Sequence, residues 1–230
     1  MKLQLIRRQP ETHDTERFYF TPGEKFDYQP GQFLKWTINH EADERGQDRF
    51  FSLASSPTEA ELMLCTKFAA EHPSTFKQQL KALTIGSVIE AIGPNGGFVL
   101  DESTLPVILV AGGIGITPFR STLKFMHDSQ VARPVRLLYS CRSAQDIVFK
   151  TEIDEWTSQH DWLTVSYVLE DTDGRLDAAK IEHLVGSLDG KQLYLSGPEP
   201  MIEALEKQLL EASIAEEQIK TDFFPGYTTI

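Results

Sequence analysis

The sequence contains few of the residues that build metal centres. Its two cysteines, Cys65 and Cys141, lie far apart and form no CxxC motif. An iron–sulfur cluster takes about four thiolates, so this chain alone is not expected to carry one. Six histidines are scattered singly, without the spacing of a zinc site. We therefore expect no metal, and so few thiols favour a reducing cytoplasm.

Long apolar runs and positive charge are scarce as well. No apolar stretch approaches the ~20 residues of a membrane helix, and the N-terminal residues turn polar too early for a secretory signal. Acidic residues outnumber basic ones by 34 to 22, which gives a net charge of −12. Because a non-specific nucleic-acid binder needs a basic face, nucleic acid is not an expected partner. The composition favours a cytoplasmic protein without a membrane span.

The pattern of the sequence changes near residue 100. Before that point, short alternating strands separated by turn residues predict a small antiparallel β-barrel with one helix. Beyond it, apolar strands alternate with helices, as they do in a doubly wound parallel sheet. We therefore predict a two-domain chain, with an N-terminal antiparallel β-barrel at 1–100 and a C-terminal α/β domain at 101–230.

A glycine-rich turn follows the apolar strand VILVA. Residues 112–118 read GGIGITP, and glycines at the end of a buried strand let the backbone approach a ligand closely. The next helix would direct free N–H groups to the same place, which favours a phosphate. A tight turn without a ligand is the alternative. Thr117 could bind a phosphate or only cap the helix.

Two other predicted strands end in residues suited to ligand binding. Ser196, Gly197 and Pro198 follow the strand LYL, and Ser140 and Arg142 follow the strand LLY. Ligands of doubly wound sheets bind at the carboxyl ends of the strands, where these residues should gather. Taken alone, Arg142 is more simply explained as a surface residue.

The N-terminal half has its own candidates for binding an anion. RFFS places Arg49 and Phe51 on one face of a strand and Ser52 on the other. A guanidinium beside an aromatic ring suits a planar, anionic ligand. HPSTF places Ser74 and Thr75 at a helix start, where helix caps and phosphate sites look alike. An arginine on the barrel exterior and a simple helix cap are the alternatives.

In their order and spacing, these segments resemble the ferredoxin–NADP reductase superfamily of flavoproteins. RFFS is similar to the R-x-Y-S flavin motif of that family, with Phe51 in the tyrosine position. GPNGGF, at 93–98, is similar to its G-P-x-G-x-F segment, and GGIGITP to its pyridine-nucleotide turn. SGPEPM resembles its C-G-P-x-x-M motif, with Ser196 in the cysteine position. The resemblance runs from residue 30 to the C-terminus.

The resemblance implies an FAD-dependent reductase that takes a hydride from NADH or NADPH. Electrons would pass to a separate acceptor such as a ferredoxin, a cytochrome, an oxygenase, free flavin or a quinone. Ser52 and Ser196 would lie at the reacting rings, and a C-terminal tail carrying Phe224 would return to the flavin. The implied FAD residues are Arg49, Phe51, Ser52, Thr66, Lys67, Ser74, Thr75 and Phe224. The implied nucleotide residues are Gly112, Gly113, Gly115, Thr117, Ser140, Arg142, Gly197 and Pro198. A regulatory or electron-transfer subunit without catalysis is the alternative.

Glu170 and Asp171 predict which nucleotide is preferred. They follow the strand LTVSYVL, where NADP-preferring relatives tend to carry a Ser-Arg pair. Carboxylates repel a 2′-phosphate but accept a hydrogen bond from a ribose 2′-hydroxyl. We predict that NADH is preferred by more than about tenfold in kcat/KM. Steady-state rates with both donors and one artificial acceptor measure this. A preference for NADPH would show that the acids are remote, or that Arg142 or Arg175 offsets them.

Overall fold

The computed structural model describes residues 1–24, 26–44, 46–68 and 74–224. The chain forms two compact units. The first comprises Met1–Leu100 with Arg120–Asp128, and the second comprises Asp101–Phe119 with Ser129–Ile230. Within the described ranges, every helix is too short or too polar to cross a membrane.

The first unit is built on a six-stranded antiparallel sheet, with strand order β4-β3-β6-β1-β2-β5. One helix, α1, follows β5 along the chain. Its core includes the fully buried aromatic side chains of Phe18, Phe20, Trp36 and Phe76. The element bounds are β1 (Lys2–Pro10), β2 (Thr15–Pro22), β3 (Phe33–Thr37), β4 (Asp48–Ser52), β5 (Leu62–Lys67), α1 (Thr75–Ala82) and β6 (Val88–Asn95).

This sheet confirms the antiparallel architecture that the sequence predicts, in a barrel-like form that is not fully closed. Among the described strands, β4 and β5 are the two edges of the sheet. Just beyond β4, the Ala54 N–H donates to the Met63 carbonyl at 2.9 Å, and the Leu53 N–H donates to the Gln32 carbonyl at 3.0 Å. These bonds draw the segment after β4 toward both β5 and the start of β3.

The sequence pattern alone does not indicate the first strand, β1. Leu3 and Leu5 are fully buried in the core, but two arginines follow them and interrupt the apolar pattern. Both arginines pack on the sheet through their long side chains: the Arg7 guanidinium lies 3.4 Å from the centre of the Tyr19 ring. Arg8 is bonded to Glu16 at 2.8 Å. Polar side chains therefore cover a strand whose inner face is apolar.

The second unit contains a five-stranded parallel sheet with strand order β11-β10-β7-β8-β9. All six residues of the central strand β7 are buried, as its continuous apolar sequence predicts. The chain builds outward from β7 to β9 and then returns to the other side of β7 with β10. The element bounds are β7 (Val107–Gly112), α2 (Ile116–Ser129), β8 (Val135–Cys141), α3 (Lys150–Gln159), β9 (Leu163–Leu169), α4 (Glu170–Asp173), α5 (Ala178–Val185), β10 (Gln192–Pro198), α6 (Glu199–Glu211) and β11 (Ile219–Phe224).

The α/β prediction for this unit is confirmed, with local differences. Helix α3 begins at Lys150, directly after Phe149, whose backbone is left-handed with a φ of +61°. The tail residues that carry Phe224 form β11, an edge strand paired in parallel with β10. The rest of the predicted C-terminal tail, 225–230, lies outside the described residues.

Arg120 holds the segment that follows β4 in the first unit. Only 4% of Arg120 is exposed. Its guanidinium donates to the Ala54 carbonyl at 3.1 Å and to the Glu59 carboxylate at 3.0 Å. The neighbouring Ser121 hydroxyl donates to the Ser55 carbonyl at 2.5 Å. These bonds fix the backbone directly downstream of the RFFS strand.

We predict that Arg120→Met lowers the free energy of unfolding by about 2–3 kcal/mol. The change leaves a carbonyl and a carboxylate without their buried donor, although Glu59 keeps some access to water. Lys124→Met, which removes a more exposed ion pair with Asp128 from the same helix, should cost less than about 1 kcal/mol. Urea unfolding measures both. Equal losses of unfolding free energy in the two variants would show that Arg120 stabilises the fold no more than an exposed ion pair does.

Candidate cofactor-binding sites

The glycine-rich turn lies at the carboxyl end of β7. The strand ends at Gly112, a single 3₁₀ turn spans Gly113–Gly115, and α2 begins at Ile116. Gly113 has a φ of +51°, in the left-handed region that favours glycine. The turn therefore brings the amino end of α2 directly to the end of a buried strand, as the sequence predicts.

Strand order reverses between β7 and β10, which makes this the switch point of the sheet. A Cβ on Gly115 would lie 2.1 Å from the Ser196 carbonyl oxygen, and a Cβ on Gly197 would lie 3.2 Å from the Gly112 Cα. The two chain segments thus meet through their main chains. A switch point is where doubly wound sheets bind ligands, and here main chains meet at Gly115 and Gly197 while the Met201 side chain lies against Gly112.

Ser140 and Ser196 lie on the two strands that flank β7. Gly112 is in register with Ser140, and Ala111 with Ser196. Both serines are fully buried, and neither hydroxyl has a hydrogen-bond partner among the described residues. A buried, unsatisfied hydroxyl costs about 1–3 kcal/mol. Two such groups beside the glycine turn fit a polar ligand that would supply the missing hydrogen bonds.

Other residues predicted to bind nucleotide have different surroundings. The Thr117 hydroxyl is buried and donates to the Ile114 carbonyl at 3.1 Å, so this bond is made to the preceding turn and does not cap the N–H groups of the helix start. Arg142 is exposed, with its Nε 3.8 Å from Asp171 Oδ1. Arg175 Nε lies 4.0 Å from Glu170 Oε1. Because the arginines are largely exposed, these ion pairs are weak and leave the acids available to a ligand.

The end of the sheet also carries Pro198 and Phe224. Pro198 is buried, ends β10 and directly precedes α6. It is in register with Phe224, the last residue of β11, which is partly exposed. The sheet therefore brings Phe224 beside two residues predicted for the nucleotide, Gly197 and Pro198.

In the first unit, Arg49 and Phe51 share one face of β4, as strand alternation predicts. The Arg49 guanidinium carbon lies 5.6 Å from the centre of the Phe76 ring. The centres of the Phe51 and Phe76 rings are 5.8 Å apart. Phe50 points away and is 61% exposed, whereas Ser52 is buried. Helix α1, which carries Phe76, therefore packs over the guanidinium and the aromatic ring together.

The amino end of α1 completes this cluster. The Ser74 hydroxyl caps the helix by accepting from the Lys77 N–H at 3.3 Å. The Thr75 N–H donates to one Asp43 carboxylate oxygen at 3.1 Å, and Arg49 donates to the other at 3.1 Å. The sequence prediction missed Asp43. It lies in a loop with several acidic residues and no periodicity, so no pattern indicates which carboxylate reaches the helix.

Thr66 and Lys67 end the strand that precedes α1 in the chain. Thr66 is fully buried, and the Lys67 carbonyl accepts a hydrogen bond from the Lys77 side chain at 2.6 Å. Lys67 Nζ lies 3.4 Å from Asp14 Oδ2. A Lys77 contact thus ties the end of β5 to α1. The structure brings Arg49, Phe51, Ser74 and Thr75 into one cluster and places Lys67 beside its helix.

Comparisons with known proteins agree with this arrangement. Residues 109–207 match the family model of the oxidoreductase NAD-binding domain. The reductase component of propane 2-monooxygenase from Mycolicibacterium goodii is 27% identical over 97% of this chain and 67% of its own length. A flavohemoprotein from Bordetella pertussis is 28% identical over 96% of this chain. The chain spans about 60% of the length of that relative.

Among solved structures, the flavohem-like FAD/NAD-binding domain of a nitric oxide dioxygenase from Vibrio cholerae aligns with a TM-score of 0.83. That alignment covers 97% of this chain and 98% of that domain, at 24% sequence identity. The two units of this chain have the fold of that FAD/NAD-binding domain. Residues 109–207, which carry the glycine turn, are similar to the oxidoreductase NAD-binding domain.

The close approach at Gly115 makes a direct prediction. Gly115→Ala places a methyl group 2.1 Å from a backbone oxygen, so β10 or the turn must shift. We expect a loss of about 1–3 kcal/mol in the free energy of unfolding and NADH binding weaker by about tenfold or more. Gly97→Ala, where a Cβ meets nothing within 4 Å, is the control. Unchanged unfolding and NADH titration in Gly115→Ala would contradict the packing argument.

Proposed function

We propose that the chain is an FAD-dependent oxidoreductase that takes a hydride from NADH, in preference to NADPH, and passes electrons to a separate acceptor. The observation that carries this proposal is the cluster formed by Arg49, Phe51 and the amino end of α1. A guanidinium, an aromatic ring and a helix start together suit a flavin with a diphosphate. The match of residues 109–207 to an NAD-binding domain supports a nicotinamide nucleotide as the hydride donor.

The residues of the first unit fit FAD group by group. Arg49 would bond a phosphate oxygen, and Ser74 and Thr75 would offer hydrogen bonds from the start of α1. A helix start that binds a diphosphate favours FAD over FMN. The half-buried Phe51 ring would contact the isoalloxazine, and the buried Ser52 beside it would offer a hydrogen bond to the flavin edge.

The residues of the second unit fit a nicotinamide nucleotide. Gly112, Gly113 and Gly115 form the turn that brings the start of α2 to the end of β7, where it would bind a phosphate. The hydroxyls of Ser140 and Ser196, which have no partner among the described residues, would satisfy polar groups of the nucleotide. Gly197 and Pro198 would form the neighbouring wall. Glu170 and Asp171 would accept hydrogen bonds from the adenosine ribose, which disfavours a 2′-phosphate.

The chemistry of hydride and electron transfer comes from the cofactors, with FAD accepting two electrons and releasing them singly or in pairs. The chain's own task is to bind two planar groups and orient them. No side chain has to remove a proton from carbon, and Ser52 and Ser196 would act as polar contacts at the reacting rings. Serine at 196, where the superfamily motif has cysteine, keeps a small polar group there.

The relatives indicate only the chemical class of the electron acceptor. One relative is the reductase component of a monooxygenase and others are flavohemoproteins, names that favour an oxygenase or a haem as the acceptor. We infer a redox acceptor of the same kind for this chain, with a ferredoxin, a cytochrome or an oxygenase as protein candidates. An anaerobic acceptor screen with NADH as donor separates these from free flavin and quinones.

A second candidate is a regulatory subunit that binds flavin and nucleotide without turnover. Serine in place of cysteine at 196 favours it, because this departure from the family motif would lie beside the nicotinamide. In that case FAD and NADH would both bind, and no acceptor would be reduced faster than by free FAD.

Arg49→Ala tests the assignment of the flavin. Loss of a charge-assisted contact to phosphate should weaken FAD binding by about ten- to a hundredfold, while circular dichroism should show an unchanged fold. Arg136→Ala, which removes an exposed arginine from β8, should leave FAD binding unchanged. Quenching of flavin fluorescence measures both. If Arg49→Ala holds FAD as tightly as the parent protein, the flavin has been assigned to the wrong residues.

A further inference from the structure

The two donors that would hold the FAD diphosphate are already bridged by one side chain. The Asp43 carboxylate accepts from Arg49 through Oδ1 and from the Thr75 N–H through Oδ2, each at 3.1 Å. A single carboxylate therefore accepts hydrogen bonds from both the guanidinium and the helix start. Charge-assisted bonds of this kind are about twice as strong as neutral ones.

The surrounding loop holds Asp43 in this position. The Asp43 N–H donates to the Thr75 hydroxyl at 3.1 Å, and the His40 ring contacts the same hydroxyl oxygen at 3.1 Å. Arg49 also donates to the Gly46 carbonyl at 3.0 Å. Residues between β3 and β4 thus contact the guanidinium, and several hydrogen bonds hold the Asp43 carboxylate in its bridging position. Its side chain is 21% exposed.

A phosphate bound at the start of α1 competes with Asp43 for the Thr75 N–H, because one N–H group makes one good hydrogen bond. It also lies close to the carboxylate, and like charges in a partly desolvated site repel by several kcal/mol. Binding of a diphosphate at these donors therefore opposes the Asp43 bridge and favours turning that carboxylate out to solvent. The cost of opening the bridge is subtracted from the binding free energy, as it is for any protein whose binding-competent state is only partly populated.

We propose that Asp43 is an internal competitor for the FAD diphosphate, which occupies the site when FAD is absent and is displaced when FAD binds. This inference rests on the proposed function and adds to it a residue that sets how tightly the cofactor is held. It keeps the arginine and the helix start satisfied in the protein without cofactor. It also makes FAD exchangeable, so the occupancy of the site depends on the concentration of free FAD.

Asp43→Asn tests the proposal, because it keeps the size of the side chain and removes its charge. We expect FAD to bind about tenfold more tightly, which is the effect of removing one charge-assisted competitor. Riboflavin, which has no phosphate, should bind equally to both proteins. The cofactor-free variant should unfold at a lower temperature than the parent, because a bridge within the fold has been weakened.

Glu44→Gln is the matched control, since it removes the same charge from an exposed position in the same loop. It should leave FAD affinity within about twofold of the parent if the effect is local rather than due to net charge. Equal or weaker FAD binding by Asp43→Asn, with flavin still bound by the parent, would overturn the proposal. A parent protein that binds neither FAD nor riboflavin would instead overturn the proposed function.

Discussion

The absence of a side chain at Gly115 is the constraint on which the nucleotide half of the molecule depends. With glycine there, the turn after β7 packs directly on the Ser196 carbonyl at the end of β10. This packing brings the turn and the end of β10 together at the switch point. The Ser140 and Ser196 hydroxyls nearby are buried with no partner among the described residues, an arrangement that costs free energy unless a polar ligand satisfies them.

The first unit, where we propose that flavin binds, has the opposite arrangement. The Arg49 guanidinium and the start of α1 both donate to Asp43. The second unit thus has two buried hydroxyls with no partner among the described residues, whereas the donors of the first unit are bonded to a carboxylate of the same chain. The difference follows from charge, because a partly buried guanidinium without a partner is more costly than a buried hydroxyl.

The fold class could be predicted because each half of the chain has a strong local pattern. The continuous apolar run of β7, which ends in glycines, indicates a buried strand followed by a turn. Strand β1 is hard to predict because Arg7 and Arg8 follow Leu3 and Leu5 and interrupt the alternation of apolar residues. Asp43 could not be predicted at all, since its role depends on a contact with a helix more than thirty residues away. The Thr117 hydroxyl donates to a carbonyl of the preceding turn, a contact that the sequence pattern does not indicate.

The central claim is that this chain moves a hydride from a nicotinamide to bound FAD. Anaerobic mixing of the FAD-loaded protein with NADH tests it most directly, with the flavin absorbance followed over time. The account predicts that the yellow absorbance bleaches with one equivalent of NADH per flavin, and that deuterium at nicotinamide C4 slows the bleaching. Absorbance that persists while NADH is bound would contradict the claim and leave a protein that binds both molecules without reacting them.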